Sequence, residues 1–273
     1  MTEAMILPKY YRVGTAKVEV HPSRHSAGAA AADAARRSLI DLTKAHNSIG
    51  VIFATGASQF DTLDELTRLA DLPWDQIRGF HMDEYVGIAV DHPASFRRYL
   101  RERLTGKVSM KEFFEIDGSA PDAEKTSRDY AAELRRANPQ ICFLGIGENG
   151  HLAFNDPPVA DFTDPLDAKI VLLDDACRRQ QLAEGWFSSI EEVPPHAITL
   201  TVPALFRVPK LIVSVPGSRK AEIVRRALEE PISTQCPATI LRSHPDTTIY
   251  LDPESAKDLN GVLIPGRLVA ATE

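Results

Sequence analysis

The stretch Cys142–Pro158, CFLGIGENGHLAFNDPP, leads from an apolar strand through a glycine-rich turn to a histidine. Its glycines match the GxGxxG pattern of dinucleotide-binding folds, in which a helix begins at the last glycine and faces the pyrophosphate. Here Pro157 and Pro158 stop any helix within two turns of Gly150. These prolines therefore argue against a dinucleotide site. The stretch indicates instead a ligand-binding loop at the carboxyl end of a strand, where open α/β sheets bind their ligands.

Short apolar runs rich in β-branched residues alternate with helical patterns on both sides of this stretch. The runs predict strands at 16–20, 49–54, 77–82, 140–145, 169–173, 197–202, 211–215 and 247–251. Helical patterns lie at 26–46, 58–70, 93–104, 121–137 and 218–230, and Ser58 with Asp61 fits a capping box at the start of the second. Strands connected by helical crossovers predict an α/β fold with a mainly parallel sheet between two layers of helices.

Length and composition are typical of one globular α/β domain. The 273 residues are 44% hydrophobic and 25% charged, and they contain no internal repeat or linker rich in glycine and serine. We therefore expect a single domain over residues 1–273. No apolar run approaches the ~18 residues of a membrane span, and the first residues lack the basic and apolar regions of a signal peptide. These features favour a cytoplasmic protein without a membrane partner.

Charge and cysteine content limit the partners further. The net charge is −7 and basic residues form pairs at most, whereas binding to a nucleic acid requires a concentrated basic face. A small anionic ligand remains compatible with this distribution, and so does a homo-oligomer. The three cysteines, Cys142, Cys177 and Cys236, lack metal-ligand spacing, so we expect buried free thiols.

His151 follows the glycine-rich turn directly and has acidic and amide residues close to it in the sequence. By default, a loop histidine is a polar residue satisfied by nearby backbone. Here Glu148 precedes it and Asn155 and Asp156 follow, so a carboxylate could hold one ring nitrogen while the other acts on a substrate. We therefore expect His151 to be a catalytic residue.

A second loop, GFHMDEYVG at 79–87, places paired acids at the end of a strand. Two solvated carboxylates in a turn would be the ordinary interpretation. However, the strand before the pair is apolar, and Tyr85, Val86 and Gly87 follow it. This context favours a partly desolvated cleft in which the pKa of Asp83 rises towards that of a useful base.

A third loop, ATGAS at 54–58, joins a buried strand to a helix and has the features of a phosphate site. Free N–H groups at a helix start bind anions, and hydroxyl groups can add hydrogen bonds. An ordinary capped turn explains the loop equally well. Lys220, at the start of a later helix, could add a positive charge, although most such lysines are only solvated. The candidate phosphate-binding residues are Thr55, Gly56, Ala57, Ser58 and Lys220.

Together these loops resemble the glucosamine-6-phosphate deaminase family, which is related to the 6-phosphogluconolactonases. The matching segments occur in the family's order and cover most of the chain: TGAS at 55–58, MDEYVG at 82–87, HPASFRRYL at 92–100, GIGENGHLAFNDP at 145–157 and GSRKA at 217–221. The lactonase branch typically has Asp-Glu-Arg in the second segment and Gly-His-Thr in the fourth, and this chain has neither. The resemblance is therefore to the deaminase branch.

The resemblance implies a Rossmann-like fold and conversion of glucosamine 6-phosphate to fructose 6-phosphate and ammonia, without a metal or organic cofactor. Asp83 matches the base that moves a proton from C2 to C1 of the sugar, and His151 matches the residue that opens the pyranose ring. Asp156 stands where the family usually has a glutamate that partners this histidine. Asn149 stands where many members have an aspartate.

The chain departs from the family at the second phosphate ligand. The family has an arginine just before an aromatic pair, whereas Glu184 lies close to that place here, within RRQQLAEGWF at 178–187. Arg178 or Arg179 could substitute. The departure concerns the identity of the sugar phosphate more than the type of reaction.

Two other functions remain open on the sequence alone. In a lactone hydrolase, His151 would activate water, and Asp83 would have no proton to take from carbon. A non-catalytic sugar-phosphate sensor would keep the loops and lack turnover.

Overall fold

The structure is a computed structural model that describes residues 7–183, 185–259 and 264–265. Its main sheet has nine strands in the order β12-β1-β2-β11-β10-β7-β3-β4-β6. They are β1 (Lys9–Val13), β2 (Ala16–Val20), β3 (Ile49–Phe53), β4 (Ile77–His81), β6 (Glu112–Phe114), β7 (Ile141–Leu144), β10 (Lys210–Ser214), β11 (Thr247–Leu251) and β12 (Ile264–Pro265). All neighbours from β2 to β6 pair in parallel, and β1 pairs antiparallel with β2 and β12.

Seven α-helices accompany the strands in the described part of the chain: α1 (Arg24–Ala45), α2 (Phe60–Arg68), α3 (Phe96–Leu100), α4 (Ala123–Ala137), α5 (Asp175–Ala183), α6 (Val202–Phe206) and α7 (Ala221–Glu229). Short 3₁₀ helices lie at Ala57–Gln59, Trp74–Gln76, Ser218–Lys220 and Pro237–Ser243, and a π-helical turn at Arg101–Thr105 extends α3. None of the helices within the described residues is long and apolar enough to cross a membrane.

Alternate residues of the central strands pack on opposite faces of the main sheet. In β7, Ile141 and Phe143 join a core with the buried alanines and leucines of α1 and α2. Cys142 and Leu144 join a second core with α4 and α7. Both faces of a parallel sheet must be covered, because its strands are apolar on both sides. The predicted three-layer, Rossmann-like α/β fold with a mainly parallel sheet is confirmed.

Two predicted strands do not join the main sheet. β8 (Ala168–Leu172) and β9 (His196–Leu200) pair antiparallel with each other, and β9 also pairs with β5 (Asp83–Tyr85) to form a three-stranded sheet. β5 follows β4 after a single residue, Met82, whose carbonyl accepts a hydrogen bond from the Leu200 N–H at 2.7 Å. Asp83 therefore lies where the chain passes from the main sheet to the small one.

The capping box predicted from Ser58 and Asp61 is wrong. The 3₁₀ turn Ala57–Gln59 runs directly into α2, so Gln59 occupies the cap position with helical backbone angles and makes no capping hydrogen bond. Ser58 Oγ instead accepts a hydrogen bond from Gln59 Nε2 at 3.1 Å, and Asp61 forms an ion pair with Arg24. The turn, not a capping side chain, leads the chain into the helix.

The three cysteines are buried free thiols, as predicted. Cys142 lies in β7 and Cys177 in α5, and Cys236 precedes the 3₁₀ helix Pro237–Ser243. Burial raises the pKa of the Cys142 thiol. A protonated, buried thiol is a poor nucleophile, so this cysteine acts as a small apolar core residue.

A close contact between α1 and α2 depends on Gly28. A Cβ built on Gly28 would lie 2.5 Å from Asp61 Cβ and 2.9 Å from the Asp61 carbonyl carbon. Side chains in proteins do not approach backbone this closely without a shift of one element. Gly28 therefore sets the distance between α1 and the first turn of α2.

We expect Gly28→Ala to lower the free energy of unfolding by ~1–3 kcal/mol, because the overpacking outweighs the better helix propensity of alanine. Urea unfolding would measure the change. Lys44→Ala, at an exposed position of the same helix, is the control and should change stability by less than ~0.5 kcal/mol. A Gly28→Ala protein as stable as the parent would contradict the packing argument.

Candidate active site

A cavity of about 350 Å³ opens at the carboxyl edge of the main sheet. Most of its lining comes from the segments that follow four parallel strands, namely β3, β4, β7 and β10, and from the first residue of α1, which follows β2. Phe96, Gln180, Gln181 and Trp186 complete the lining of the cavity. Of the residues singled out in the sequence, seven line it: Thr55, Gly56, Ala57, Ser58, Asp83, His151 and Lys220. Asn149 and Asp156 lie behind His151 and contact it. The structure thus gathers all nine candidates in one place.

Two turns of the same shape flank the cavity. After β3, Gly56 has a φ of 92° and leads into the 3₁₀ turn Ala57–Gln59. After β10, Gly217 has a φ of 96° and leads into the turn Ser218–Lys220. Glycine adopts positive φ without strain, and the first N–H groups of a helical turn lack partners within the turn. Both turns therefore offer backbone donors to an anion.

The two turns are held by contacts from behind. Tyr99 donates its hydroxyl hydrogen to Gly56 O at 2.9 Å, and the Gly217 N–H donates to both carboxylate oxygens of Asp252 at 3.1 Å. Lys220 Nζ donates to Ile146 O at 2.8 Å, which places its charge beside the glycine-rich turn. These contacts orient the donors before any ligand arrives.

Asp83 is a buried carboxyl group on the cavity wall. Its residue is 6% exposed, and its Oδ1 atom has no hydrogen-bond partner among the described residues. Burial raises the pKa of Asp83 well above its usual value, and the charge of the neighbouring Glu84 raises it further. A carboxyl group with a raised pKa and a free oxygen can accept a proton from a bound molecule.

Glu84, the second acid of the pair, has a structural role. Its carboxylate accepts hydrogen bonds from the backbone N–H groups of Tyr85, Phe96 and Arg97 and from the Ser95 hydroxyl. Burial raises the pKa of Glu84, although these donors oppose the rise. Glu84 therefore fixes the start of α3 against β5, and Asp83 is the member of the pair that faces the cavity.

The glycine-rich turn holds the ring of His151. The Gly147 N–H donates to His151 O at 3.0 Å, and a Cβ built on Gly147 would lie 2.1 Å from His151 Nε2. Any other residue at 147 would occupy the place of the imidazole. This contact explains a glycine in the GxGxxG pattern without a dinucleotide.

A polar pair behind His151 orients the ring. Nδ1 of His151 lies 2.9 Å from Oδ1 of Asp156, and Asn149 Nδ2 donates to the same oxygen at 2.9 Å. Asn149 Oδ1 in turn accepts the His151 N–H at 3.1 Å. Burial opposes ionisation of Asp156, but the His151 ring and the Asn149 amide hold the pKa of Asp156 below its usual value. Asp156 therefore lies against Nδ1 of the ring and leaves Nε2 for a ligand.

Cys177 also approaches this pair, a contact that the sequence did not suggest. Ligand atoms of His151, Asp156 and Cys177 lie within 4.8 Å of one another, which is close enough to surround a metal ion. Burial raises the pKa of the Cys177 thiol, and the charges of Asp156 and Asp174 raise it further. The Cys177 thiol is therefore protonated where no cation lies beside it.

Neither arginine suggested as the second phosphate ligand lines the cavity. Arg178 donates to the backbone carbonyls of Ile190 and Val193, and Arg179 pairs with Asp175. Glu184 lies outside the described residues. The sequence-based expectation for Arg178 or Arg179 is therefore wrong, because α5 directs both side chains elsewhere.

Two cavity-lining arginines were missed from the sequence. Arg24 begins α1, and Arg219 precedes Lys220 and pairs with Glu148 at 2.6 Å. The signal for Arg24 was available, because it follows a parallel strand as the other site residues do.

The sequence of the chain is similar to those of known sugar-phosphate enzymes. Residues 22–250 match the family model described as glucosamine-6-phosphate isomerases/6-phosphogluconolactonase. The chain is 35% identical over 207 residues to a glucosamine-6-phosphate deaminase of Exiguobacterium sibiricum, which covers 76% of this chain and 80% of the relative.

Solved structures of similar fold include proteins of two activities. A monomeric glucosamine-6-phosphate deaminase superimposes with a TM-score of 0.81 at 28% identity, covering 88% of this chain and 99% of that one. A 6-phosphogluconolactonase from Thermotoga maritima superimposes with a TM-score of 0.69 at 19% identity, covering 86% and 98%. The second likeness concerns the fold alone.

The raised pKa of Asp83 has a consequence for stability. The folded protein binds the Asp83 proton more tightly than the unfolded chain does, so stability is lost as pH rises through the raised pKa. We expect Asp83→Asn, which removes the charge, to raise the free energy of unfolding by ~1–3 kcal/mol at pH values above that pKa.

The gain should be absent at low pH, below the unfolded-state pKa of about 3.9, where the carboxyl group is protonated in both states. Urea unfolding of parent and variant across the pH range would measure it. A gain that does not depend on pH, or a loss of stability at high pH, would show that Asp83 is not a destabilising buried acid.

Proposed function

Because the chain belongs to the glucosamine-6-phosphate isomerase/6-phosphogluconolactonase family, we propose that it is a glucosamine-6-phosphate deaminase. It converts glucosamine 6-phosphate and water to fructose 6-phosphate and ammonia. The deaminase of 35% identity named above supports the deaminase activity. The lactonase likeness, at 19% identity, supports only the fold.

The observation that carries this proposal is the buried carboxyl group of Asp83, with its free oxygen and raised pKa, in the same cavity as His151. Moving a proton from C2 to C1 of a sugar requires a base that can both take and return it. A raised pKa suits both steps, because the group is then neither too weak a base nor too weak an acid. Hydrolysis of a lactone makes no such demand.

The proposed reaction begins with opening of the pyranose ring at His151. Nε2 gives a proton to the ring oxygen as the bond from C1 to that oxygen breaks and then takes the proton of the C1 hydroxyl, which leaves the aldehyde at C1. Asp156 and Asn149 hold the imidazole in position and act as positioning residues. Their role depends on contact with His151, not with the sugar.

Proton transfer and hydrolysis follow ring opening. Asp83 removes the C2 proton, the electron pair of the C2–H bond forms the double bond of an enolamine between C1 and C2, and the carbonyl oxygen at C1 takes up a proton from water. Return of the Asp83 proton to C1 gives an iminium at C2, which becomes the imine when it loses a proton to water. Water adds to this imine and ammonia leaves, so that the ketone of fructose 6-phosphate remains at C2.

The turn of Thr55, Gly56, Ala57 and Ser58 would bind the phosphate group. Its backbone N–H groups and the hydroxyls of Thr55 and Ser58 supply donors, and Lys220 supplies a positive charge from the facing turn. Anions bind well at such turns because the donors are preorganised.

The remaining expectations from the sequence are also part of the proposal. We infer a single domain over residues 1–273, a sugar phosphate as ligand with no nucleic-acid or membrane partner, and a cytoplasmic location. The proposed reaction requires no cofactor, since every step is a proton transfer, an addition of water or an elimination of ammonia. A homo-oligomer is compatible with it.

Incubation with glucosamine 6-phosphate in D₂O would test the proposed function. We expect equimolar ammonia and fructose 6-phosphate, with deuterium at C1 of the product or at C2 of recovered substrate. Hydrolysis of 6-phosphogluconolactone without release of ammonia from the amino sugar would favour the lactonase. Binding without turnover of either compound would favour a sensor.

We expect Asp83→Asn to lower kcat by ~10²–10⁴-fold, because the base is absent while the phosphate contacts remain. Steady-state ammonia release would give kcat, and KM should change little. Asp75→Asn, a substitution at an exposed aspartate, is the matched control and should behave as the parent. Activity of Asp83→Asn within a few-fold of the parent would remove Asp83 from this role.

We expect His151→Gln to lose more activity on glucosamine 6-phosphate than on its 5-deoxy analogue, which cannot close a pyranose ring. The loss on the natural substrate should be ~10²–10⁴-fold, as for other general acids. Comparing kcat/KM of parent and variant on the two compounds isolates ring opening. Equal losses on both would argue against that role.

A further inference from the structure

Three cationic side chains among the described residues line the cavity: Arg24, Arg219 and Lys220. A sugar phosphate carries up to two negative charges, and phosphate is bound best by charge-assisted hydrogen bonds, above all from arginine. Lys220 supplies one such group. Because Arg178 donates to backbone carbonyls and Arg179 pairs with Asp175, the second must come from elsewhere in the chain.

Arg24 lies beside the predicted phosphate turn. Its Nη2 atom lies 3.3 Å from the carbonyl oxygen of Ala57, to which it donates, and its Nε donates to Asp61 Oδ2 at 2.8 Å. β2 runs parallel to β11, so the start of α1 falls at the same edge of the sheet as the other site loops. The guanidinium thus forms a direct hydrogen bond with the backbone of the turn Thr55–Ser58.

Donor capacity remains on Arg24 after these contacts. A guanidinium has five N–H groups, of which two are engaged by Asp61 and Ala57 among the described residues. The side chain is 49% exposed, and Arg24 is one of the residues that line the cavity. Asp61 holds the guanidinium by one edge, which fixes its position while the other edge can face a ligand.

We propose that Arg24 is the second phosphate-binding cation of this site, acting with Lys220 and the turn Thr55–Ser58. The inference rests on the proposed function, because it assumes that a sugar phosphate occupies the cavity. It assigns to the start of α1 a task that the family resemblance places near residue 184. The phosphate group would then be held between the turns that follow β3 and β10 and the first residue of α1.

Arg219 is the competing residue. It belongs to the same turn as Lys220, but its guanidinium pairs with Glu148 of the glycine-rich turn. Arg24 is also paired with an acid, but it additionally contacts the phosphate turn itself. The contact with Ala57 therefore favours Arg24.

Arg24→Gln should raise KM for glucosamine 6-phosphate by about 10- to 100-fold, the loss typical of a hydrogen bond to a charged group. The change in kcat should be within about threefold, because the phosphate is held equally in substrate and transition state. Inorganic phosphate is a second probe that requires no turnover. Its protection of the protein against thermal unfolding should weaken by a similar factor.

The Arg24→Gln variant has a second effect on KM, because it leaves the Asp61 carboxylate without its cation near the site, where it would repel a phosphate group. The double variant Arg24→Gln/Asp61→Asn separates the two effects. If Arg24 binds phosphate, the double variant keeps the high KM. A return of KM to the parent value would show that only repulsion by Asp61 was measured, and would overturn the proposal.

Arg37→Gln is the matched control, because Arg37 lies on the same helix and is also paired with an aspartate, Asp33. It should leave KM and phosphate protection unchanged. Arg219→Gln should raise KM by less than about threefold. If Arg219→Gln causes the large loss and Arg24→Gln does not, the assignment to Arg24 is wrong.

The two readouts distinguish failure of this inference from failure of the proposed function. If the parent deaminates the substrate and Arg24→Gln has the parent KM, only the assignment of Arg24 fails. If the parent does not deaminate, phosphate protection still compares parent and variant directly. Equal protection of both by phosphate would then overturn the role of Arg24 in the site.

Discussion

The parallel pairing of β10, β7, β3 and β4 is the constraint on which the site depends. Because parallel strands end at the same edge, the segments that follow them meet there, although they are far apart in the sequence. The turn at Gly56, the acid Asp83, the ring of His151 and the turn at Gly217 each follow one of these strands. The helices that connect the strands cover both faces of the sheet, so a buried hydrophobic core lies on each side of the strands that carry the site.

The pKa values of two aspartates at this site, Asp83 and Asp156, are shifted in opposite directions. Among the residues that the structure describes, no donor reaches Oδ1 of Asp83, and burial raises the pKa of its carboxyl group. Asp156 is also buried, but the His151 ring and the Asn149 amide lower its pKa. Environments that separate the pKa values of neighbouring acids commonly mark a division of catalytic roles. Here the difference between the two pKa values supports Asp83 as the group that exchanges a proton with carbon. It supports Asp156 as the anion that holds the His151 ring in position.

Much of this arrangement could be predicted from the sequence, because strand and helix periodicities and the motif loops are local signals. Six of the main-sheet strands, β2, β3, β4, β7, β10 and β11, were predicted in this way, and so were the loops that carry Asp83, His151 and residues 55–58. The strands β1, β6 and β12 were not predicted. The features that were not predicted from the sequence depend on packing. Periodicity does not report which strands pair, so the antiparallel sheet of β5, β8 and β9 was missed. The start of α2 depends on a 3₁₀ turn, and the direction of Arg178 depends on how α5 docks, which no local pattern encodes.

The proposed role of Asp83 is to take the proton from C2 of an amino-sugar phosphate. The most direct measurement of that step follows deuterium in glucosamine 6-phosphate labelled at C2, by NMR, in ordinary water. We expect the parent to move the label from C2 to C1 of fructose 6-phosphate or to solvent, and Asp83→Asn to do so at least ~10²-fold more slowly. Loss of the label at equal rates in both proteins, or no loss with the parent, would contradict that role.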